Sequence, residues 1–160
     1  MSSTTSAASV YEGVQGEHYQ GTVCKVPANV YGFIARLRAS KLQQYIPPTA
    51  RVLEFGVGQG YNLAHIVCAQ RVGVDAATCV QHVVESHGIE YARIEELEAA
   101  SFDVIICHHV LEHVSHPWDV LEQLHGLLRP SGALVLVVPY VWGARQRRFD
   151  ALDANMHLYA

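Results

Sequence analysis

The sequence lacks the features that mark several broad classes of protein. No apolar run approaches the ~20 residues that a membrane-spanning helix needs; the longest, Ala133 to Trp142, is interrupted by Pro139 and reads as a buried strand. Only 16% of the 160 residues are charged while 50% are apolar, too little charge for a disordered chain and enough apolar side chain for a sizeable core. There is no C-x-x-C pair. Cys24, Cys68, Cys79 and Cys107 lie far apart, which argues against a disulfide framework and for free thiols in a reducing, cytoplasmic setting. A net charge of −4 offers no general attraction for nucleic acid or for an anionic membrane, so neither is expected as a partner. Residues 1–9 have neither the basic region nor the apolar stretch of a signal peptide and read as a frayed tail. Histidine, by contrast, is abundant, with 10 residues that call for an explanation.

The remainder, 10–160, reads as one domain. Glycines and scattered aromatics make 10–28 irregular. Val30, Phe33, Ile34, Leu37 and Leu42 then recur at near-helical spacing with Arg36, Arg38 and Lys41 between them, and Pro47-Pro48 ends that helix. An alternating series follows. Strands are expected at Arg51–Phe55, Arg71–Asp75, Gly88–Ala92 (weak), Phe102–Cys107 and Ala133–Val138. Between them, Leu63, Ile66 and Val67 share one helical face, Val80, Val83 and Val84 another, and Pro117 opens a helix with Val120, Leu121, Leu124, Leu127 and Leu128 inward. Strand and helix alternate, so the expected fold is α/β: a doubly wound, mostly parallel sheet with helices on both faces.

The strongest local signal is Glu54-Phe55-Gly56-Val57-Gly58-Gln59-Gly60, directly after a strand and opening a helix. Glycines there let backbone N–H groups approach a ligand, and a helix start favours an anionic group. A dinucleotide site spaces its glycines G-x-G-x-x-G, whereas here the third comes one residue early and an acid stands two residues before the first. That acid would repel a pyrophosphate and suits a ligand with a nearby cationic group. Asp75 ends the second strand, where a carboxylate can accept both hydroxyls of a ribose. A tight turn with a capping acid is the plainer reading of the same residues.

Over about Val30 to Tyr140 the chain resembles the class I S-adenosylmethionine-dependent methyltransferases. The resemblance rests on separate blocks in order: the E/D-x-G-x-G-x-G loop at Glu54–Gly60, the acid at Asp75, Phe102-Asp103-Val104-Ile105-Ile106, Leu111-Glu112-His113-Val114 with Pro117, and Leu128-Arg129-Pro130-Ser131-Gly132 before strand five. It implies a Rossmann-like sheet of order 3-2-1-4-5 and S-adenosylmethionine as cofactor. Glu54 would bind the methionine amino group, Gly56, Gly58 and Gly60 would line the methionine and ribose portion, and Asp75 would hold the ribose. Glu95 or Glu96 is the nearest candidate for the adenine amine, with Glu96 preferred. Cys107 and His108 would lie at the mouth where sulfonium and acceptor meet. The implied reaction is methyl transfer to a small molecule, more readily at oxygen than elsewhere. A non-catalytic binding module and a nicotinamide-dependent oxidoreductase are the rival readings.

His108, His109, Glu112, His113 and His116 fall within nine residues. In a helical turn, His109, Glu112 and His113 would share a face, and two imidazoles with a carboxylate can bind a divalent metal. Some small-RNA 2′-O-methyltransferases and quinone-biosynthesis O-methyltransferases carry Glu-x-x-Glu-His at this place and bind a metal; here His109 replaces the first glutamate, and His157 would be a fourth ligand. Without a metal, His113 or His109 would serve as base for an acceptor hydroxyl. Trp118 and Trp142 would flank the substrate mouth or fill the core, Arg145, Arg147 and Arg148 would form a solvated basic loop or meet an anionic substrate, and the resemblance implies a lid over the cofactor within 10–48 to which Tyr11, Tyr19 and Tyr31 could belong.

The length completes the expectation. The resemblance implies seven strands, the last two a hairpin beside strand five, yet the chain runs only about twenty residues beyond its fifth. Strand five would then be an apolar, unpaired edge. A longer parent protein, a second copy forming a homodimer over that edge, or the last residues folding back are the three ways of covering it.

Overall fold

The computed structural model of the chain describes residues 28–139. Helix α1 (Ala28–Gln43) leads into β1 (Arg51–Phe55), α2 (Tyr61–Ala64), β2 (Gln70–Val74), a 3-10 turn (Thr78–Val80) continuing as α3 (Gln81–Ser86), β3 (Glu90–Tyr91), and a 3-10 turn (Ile94–Glu96). Then come β4 (Phe102–His108), a 3-10 turn (Leu111–His113), α4 (Pro117–Leu127) and β5 (Leu128–Val137). All strand pairs are parallel, and the sheet order is β3-β2-β1-β4-β5, as the resemblance implied.

The order follows from the side-chain pattern. Successive residues of a strand face opposite sides, and in β1 and β4 both sides are apolar. Val52, Val104 and Ile106 pack with Ala39, Leu42, Leu63, Ile66 and Val84 of one helical layer. Leu53, Ile105 and Cys107 pack with Leu111, Leu124 and Leu127 of the other. Strands coated on both sides belong at the centre of a parallel sheet. Because β1 connects to β2 on one side while β4 lies on its other, the chain reverses direction across the sheet between β1 and β4, which opens a crevice at their C-terminal ends.

Two local readings are corrected. The second helix is only four residues long and does not carry Val67 inward: Ile66 is buried, but Val67 is exposed. The turn that replaces the helix has its backbone groups met elsewhere. Arg71 donates to the Ile66 carbonyl through Nε (3.1 Å) and Nη2 (2.8 Å). The Gln43 side chain, at the end of α1, takes the Val67 N–H (2.8 Å) and donates to the Val67 carbonyl (3.0 Å). The second correction is Trp118, which projects into solvent at 77% exposure and does not fill the core. Residues 129–132 bulge out of β5, where pairing jumps from Phe102–Leu128 to Val104–Ala133. Among the described residues β5 is an edge strand with Leu136 and Val138 exposed, in line with the expected apolar edge. None of the helices among the described residues is long and apolar enough to cross a membrane.

Candidate active site

A cavity of about 650 Å³ occupies the crevice at the C-terminal ends of β1, β2 and β4. Its walls come from the loop after β1 (Gly56, Gly58), the end of β2 (Val74, Asp75), the segment after β3 (Tyr91, Arg93, Glu95) and the segment after β4 (His109, Val110, His113).

The glycine loop is shaped by its neighbours. Gly56 and Val57 both donate to the Val74 carbonyl, at 2.9 and 3.0 Å, which ties the end of β1 to the end of β2. This requires φ of +74° at Gly56, and a side chain there would collide with Val110 Cγ2. Gly58 is different: with φ of +51°, a Cβ built on it would meet nothing within 4 Å. The backbone at Gly58 is therefore open to a ligand, which is what a glycine cradle needs. Gly60 closes the loop against Ile89, 3.0 Å from where its Cβ would stand, and is a packing residue away from the cavity wall.

Glu54 and Asp75 flank this loop. Glu54 is 1% exposed. Its Oε1 accepts from Asn62 Nδ2 at 3.0 Å, and its buried Oε2 has no hydrogen-bond partner. Burial pushes the Glu54 carboxyl up to about 7, against the pull of Asn62, the Leu63 N–H and the Arg38 charge. A buried carboxylate with an unsatisfied oxygen is costly unless a cation completes it. Asp75 takes the Gly58 N–H on Oδ2 (2.8 Å) and the Ala77 N–H on Oδ1 (2.9 Å). Burial raises its carboxyl despite those bonds. Each oxygen keeps a second lone pair, enough for the two hydroxyls of a diol. Tyr91 Oη holds the Asp75 carbonyl at 3.0 Å and so fixes the end of β2. Asp75 lines the cavity, whereas Glu54 is buried beside the loop and is not among the lining residues.

The segment after β4 departs from the helical turn assumed above. His109 has a left-handed backbone, φ +56°, and lies outside the short 3-10 turn Leu111–His113. His109 Nδ1 and Glu112 Oε1 stand 3.0 Å apart, Glu112 is buried, and its Oε2 is unpartnered. Burial pushes the Glu112 carboxyl up, but the His109 hydrogen bond and the nearby His113 and His109 charges outweigh it and leave the carboxyl below its ordinary value. His109 and His113 both line the cavity. No three His, Cys, Asp or Glu side chains among the described residues gather as a metal centre requires, although His109 and Glu112 meet as a pair. The residues present therefore do not fit the expected metal; His157 lies outside the described residues.

Three further placements differ from the sequence reading. Cys107 is fully buried in the core, its thiol pushed up to about 12 by burial and the Glu112 and Glu54 charges, and it does not reach the cavity. Glu96 turns back to accept the Arg93 N–H at 3.2 Å, while Glu95 is the acid that lines the cavity. His108 sits edge-on to His109, ring centroids 4.6 Å apart. Burial, His109 and Arg38 pull it down to about 4, so it is neutral near pH 7. Two contributors escaped the sequence reading. Tyr91 sits in a strand too short to show alternation, and Arg38, whose charge acts on both Glu54 and His108, reads in sequence as one more helix cation. Tyr31 stacks on Tyr61 at 4.9 Å. Cys68 and Cys107 are free thiols. Tyr11, Tyr19, Cys24, Trp142, Arg145, Arg147 and Arg148 lie outside the described residues.

Residues 28–157 match the sequence profile of a family described as a methyltransferase domain. A ubiquinone biosynthesis O-methyltransferase from Xanthomonas axonopodis pv. citri is 33% identical over 104 residues, which is 56% of this chain and 43% of that protein. The chain thus spans less than half the length of the curated relatives it matches. Among solved structures, an S-adenosylmethionine-dependent methyltransferase from Archaeoglobus fulgidus shares the fold with a TM-score of 0.68 at 16% identity, over 92% of this chain and 68% of that one. One from Thermotoga maritima does so with a TM-score of 0.63 at 19% identity, over 75% and 59%.

Proposed function

The chain belongs to the S-adenosylmethionine-dependent methyltransferases of the Rossmann-like class, and on that premise we propose that it binds S-adenosylmethionine in the crevice and methylates a hydroxyl oxygen of a small molecule. The observation that carries the cofactor is Glu54, a buried carboxylate with an unpartnered oxygen directly ahead of the open backbone at Gly58. Identity to the ubiquinone biosynthesis O-methyltransferases supports oxygen as the acceptor atom.

Bound S-adenosylmethionine would supply a methyl group already activated by the sulfonium. What remains for the protein is positioning, which can supply on the order of 7–11 kcal/mol. Glu54 would take the amino group on its unpartnered oxygen. Gly56 and Gly58 offer the backbone surface, Asp75 accepts the ribose hydroxyls, and Glu95 receives the adenine amine. His109, held by Glu112 through Nδ1 and lining the cavity, accepts the acceptor's hydroxyl proton. His113 is the second base in reach of the same space. His108, neutral beside it, adds no competing charge near the sulfonium.

Calorimetric titration of the chain with S-adenosylmethionine, S-adenosylhomocysteine and NAD tests the cofactor assignment. Binding of the first two without NAD is expected, and NAD alone would overturn it. A methyl-transfer screen over phenolic, sugar and carboxylate acceptors tests the acceptor. Cofactor binding without transfer to any of them would favour a binding module.

A further inference from the structure

The outer face of α1 (Ala28–Gln43) carries an apolar ridge that no described residue covers. Val30, Phe33 and Leu37 recur at i, i+3 and i+7 on one side of the helix and are 37%, 62% and 48% exposed. The opposite side, Ala35, Ala39 and Leu42, is buried against the sheet. Exposed Arg36 and Arg38 border the ridge on its two flanks and Lys41 continues it toward the C-terminus. The helix contains these three cations and no carboxylate, within a chain of net charge −4. Three of the chain's 11 lysines and arginines thus stand beside exposed aliphatic and aromatic side chains.

From this we propose that α1 docks the protein reversibly on an anionic phospholipid surface, Phe33 and Leu37 entering the headgroup–acyl boundary while Arg36 and Lys41 pair with lipid phosphates. Charge complementarity selects that occupant. A helix lying in an interface needs an apolar face with basic flanks, and long cationic side chains let their stems follow the apolar surface while their heads stay with phosphate. The ridge is small, so neither element suffices alone and attachment depends on the anionic lipid, each cation contributing roughly fivefold. The proposal does not depend on the methyltransferase reading: none of Val30, Phe33 and Leu37 lines the cavity, and its test reads lipid binding.

The test is co-sedimentation of the full chain with vesicles of phosphatidylcholine alone or mixed equally with phosphatidylglycerol. The mixed vesicles should pellet the protein, the neutral ones about tenfold less, and high salt should release it. Phe33→Glu with Leu37→Glu should abolish pelleting, and Arg36→Gln with Lys41→Gln should weaken it about tenfold or more. All four side chains are exposed, so circular dichroism and S-adenosylhomocysteine affinity should stay unchanged. If the double glutamate variant fails to fold, the double glutamine variant carries the test. No pelleting, equal pelleting with both vesicles, or pelleting untouched by the variants would overturn the proposal. So would a chain that sediments as a dimer dispersed by the glutamates and ignores the vesicles, since the ridge would then face a second copy.

Discussion

Replacing Glu54 by Gln should make the protein more stable and worse at binding its cofactor, and the stability gain should depend on pH. In the folded chain the Glu54 carboxyl ionises near 7 because it is buried, against an ordinary value of 4.5. Between those two values the folded state holds more protons than the unfolded one, so stability falls as pH rises from 4.5 to 7 and stays low above it. At about 1.4 kcal/mol per pH unit, the full loss is about 3 kcal/mol. Glutamine keeps the size of the side chain and can still accept from Asn62 Nδ2, but it never ionises. The variant should therefore gain about 3 kcal/mol at pH 8 and less than about 1 kcal/mol at pH 5. For a chain of this size that corresponds to a rise in melting temperature of roughly 6–12 °C at pH 8. Urea unfolding of both proteins at the two pH values, followed by far-ultraviolet circular dichroism, measures it. Calorimetry at pH 8 should show S-adenosylhomocysteine bound at least tenfold more weakly, because the amino group loses its counter-charge. A gain of the same size at both pH values, or none at pH 8, would refute the reasoning about Glu54.

Gly58→Glu should leave no measurable cofactor affinity in calorimetry, since the side chain fills the open cradle; unchanged affinity would move the site elsewhere. His109→Ala should lower kcat for a hydroxyl acceptor by about 10²–10⁴-fold while S-adenosylhomocysteine affinity holds, and an unaltered kcat would leave His113 as the base. In native-state hydrogen exchange the His109 amide should open with the same free energy as the amides of β5, because it donates to the Val137 carbonyl at 2.8 Å; a fast His109 amide beside a protected β5 would show that β5 does not hold it.

The sheet was legible because β1 and β4 are apolar on both faces and the glycine loop marks the end of β1. Glu54 and Asp75 were legible as well, since their place is set by a strand end and not by a side-chain rotation. What could not be read depended on a single backbone angle or a distant partner. Glu95 and Glu96 are adjacent, and only the extended Arg93 ahead of their turn decides that Glu96 folds back while Glu95 faces the cavity. Cys107 and His108 are likewise adjacent, and the period of two sends one into the core and the other to the opposite face. Val67 has the apolar character of a core residue, but Gln43, 24 positions earlier, takes its backbone groups and holds it outside. Net charge says nothing of distribution either: within the total of −4, α1 holds three cations and no carboxylate.

His109 shows how the mouth of the cavity depends on β5, an edge strand among the described residues. A left-handed backbone costs a residue with a Cβ on the order of 1 kcal/mol or more and persists only where its surroundings impose it. Two contacts impose it here, the Glu112 carboxylate on the side chain and the Val137 carbonyl on the backbone N–H. The first comes from a buried turn and is secure. The second comes from β5, which pairs only with β4 among the described residues and leaves Leu136 and Val138 in solvent. Edge strands open before central ones, so the backbone constraint on His109 is as durable as whatever covers β5. Cofactor binding as proposed, through residues at the ends of β1 and β2, does not share that dependence. A chain with β5 uncovered should for that reason keep its affinity for S-adenosylhomocysteine before it keeps the geometry of its base.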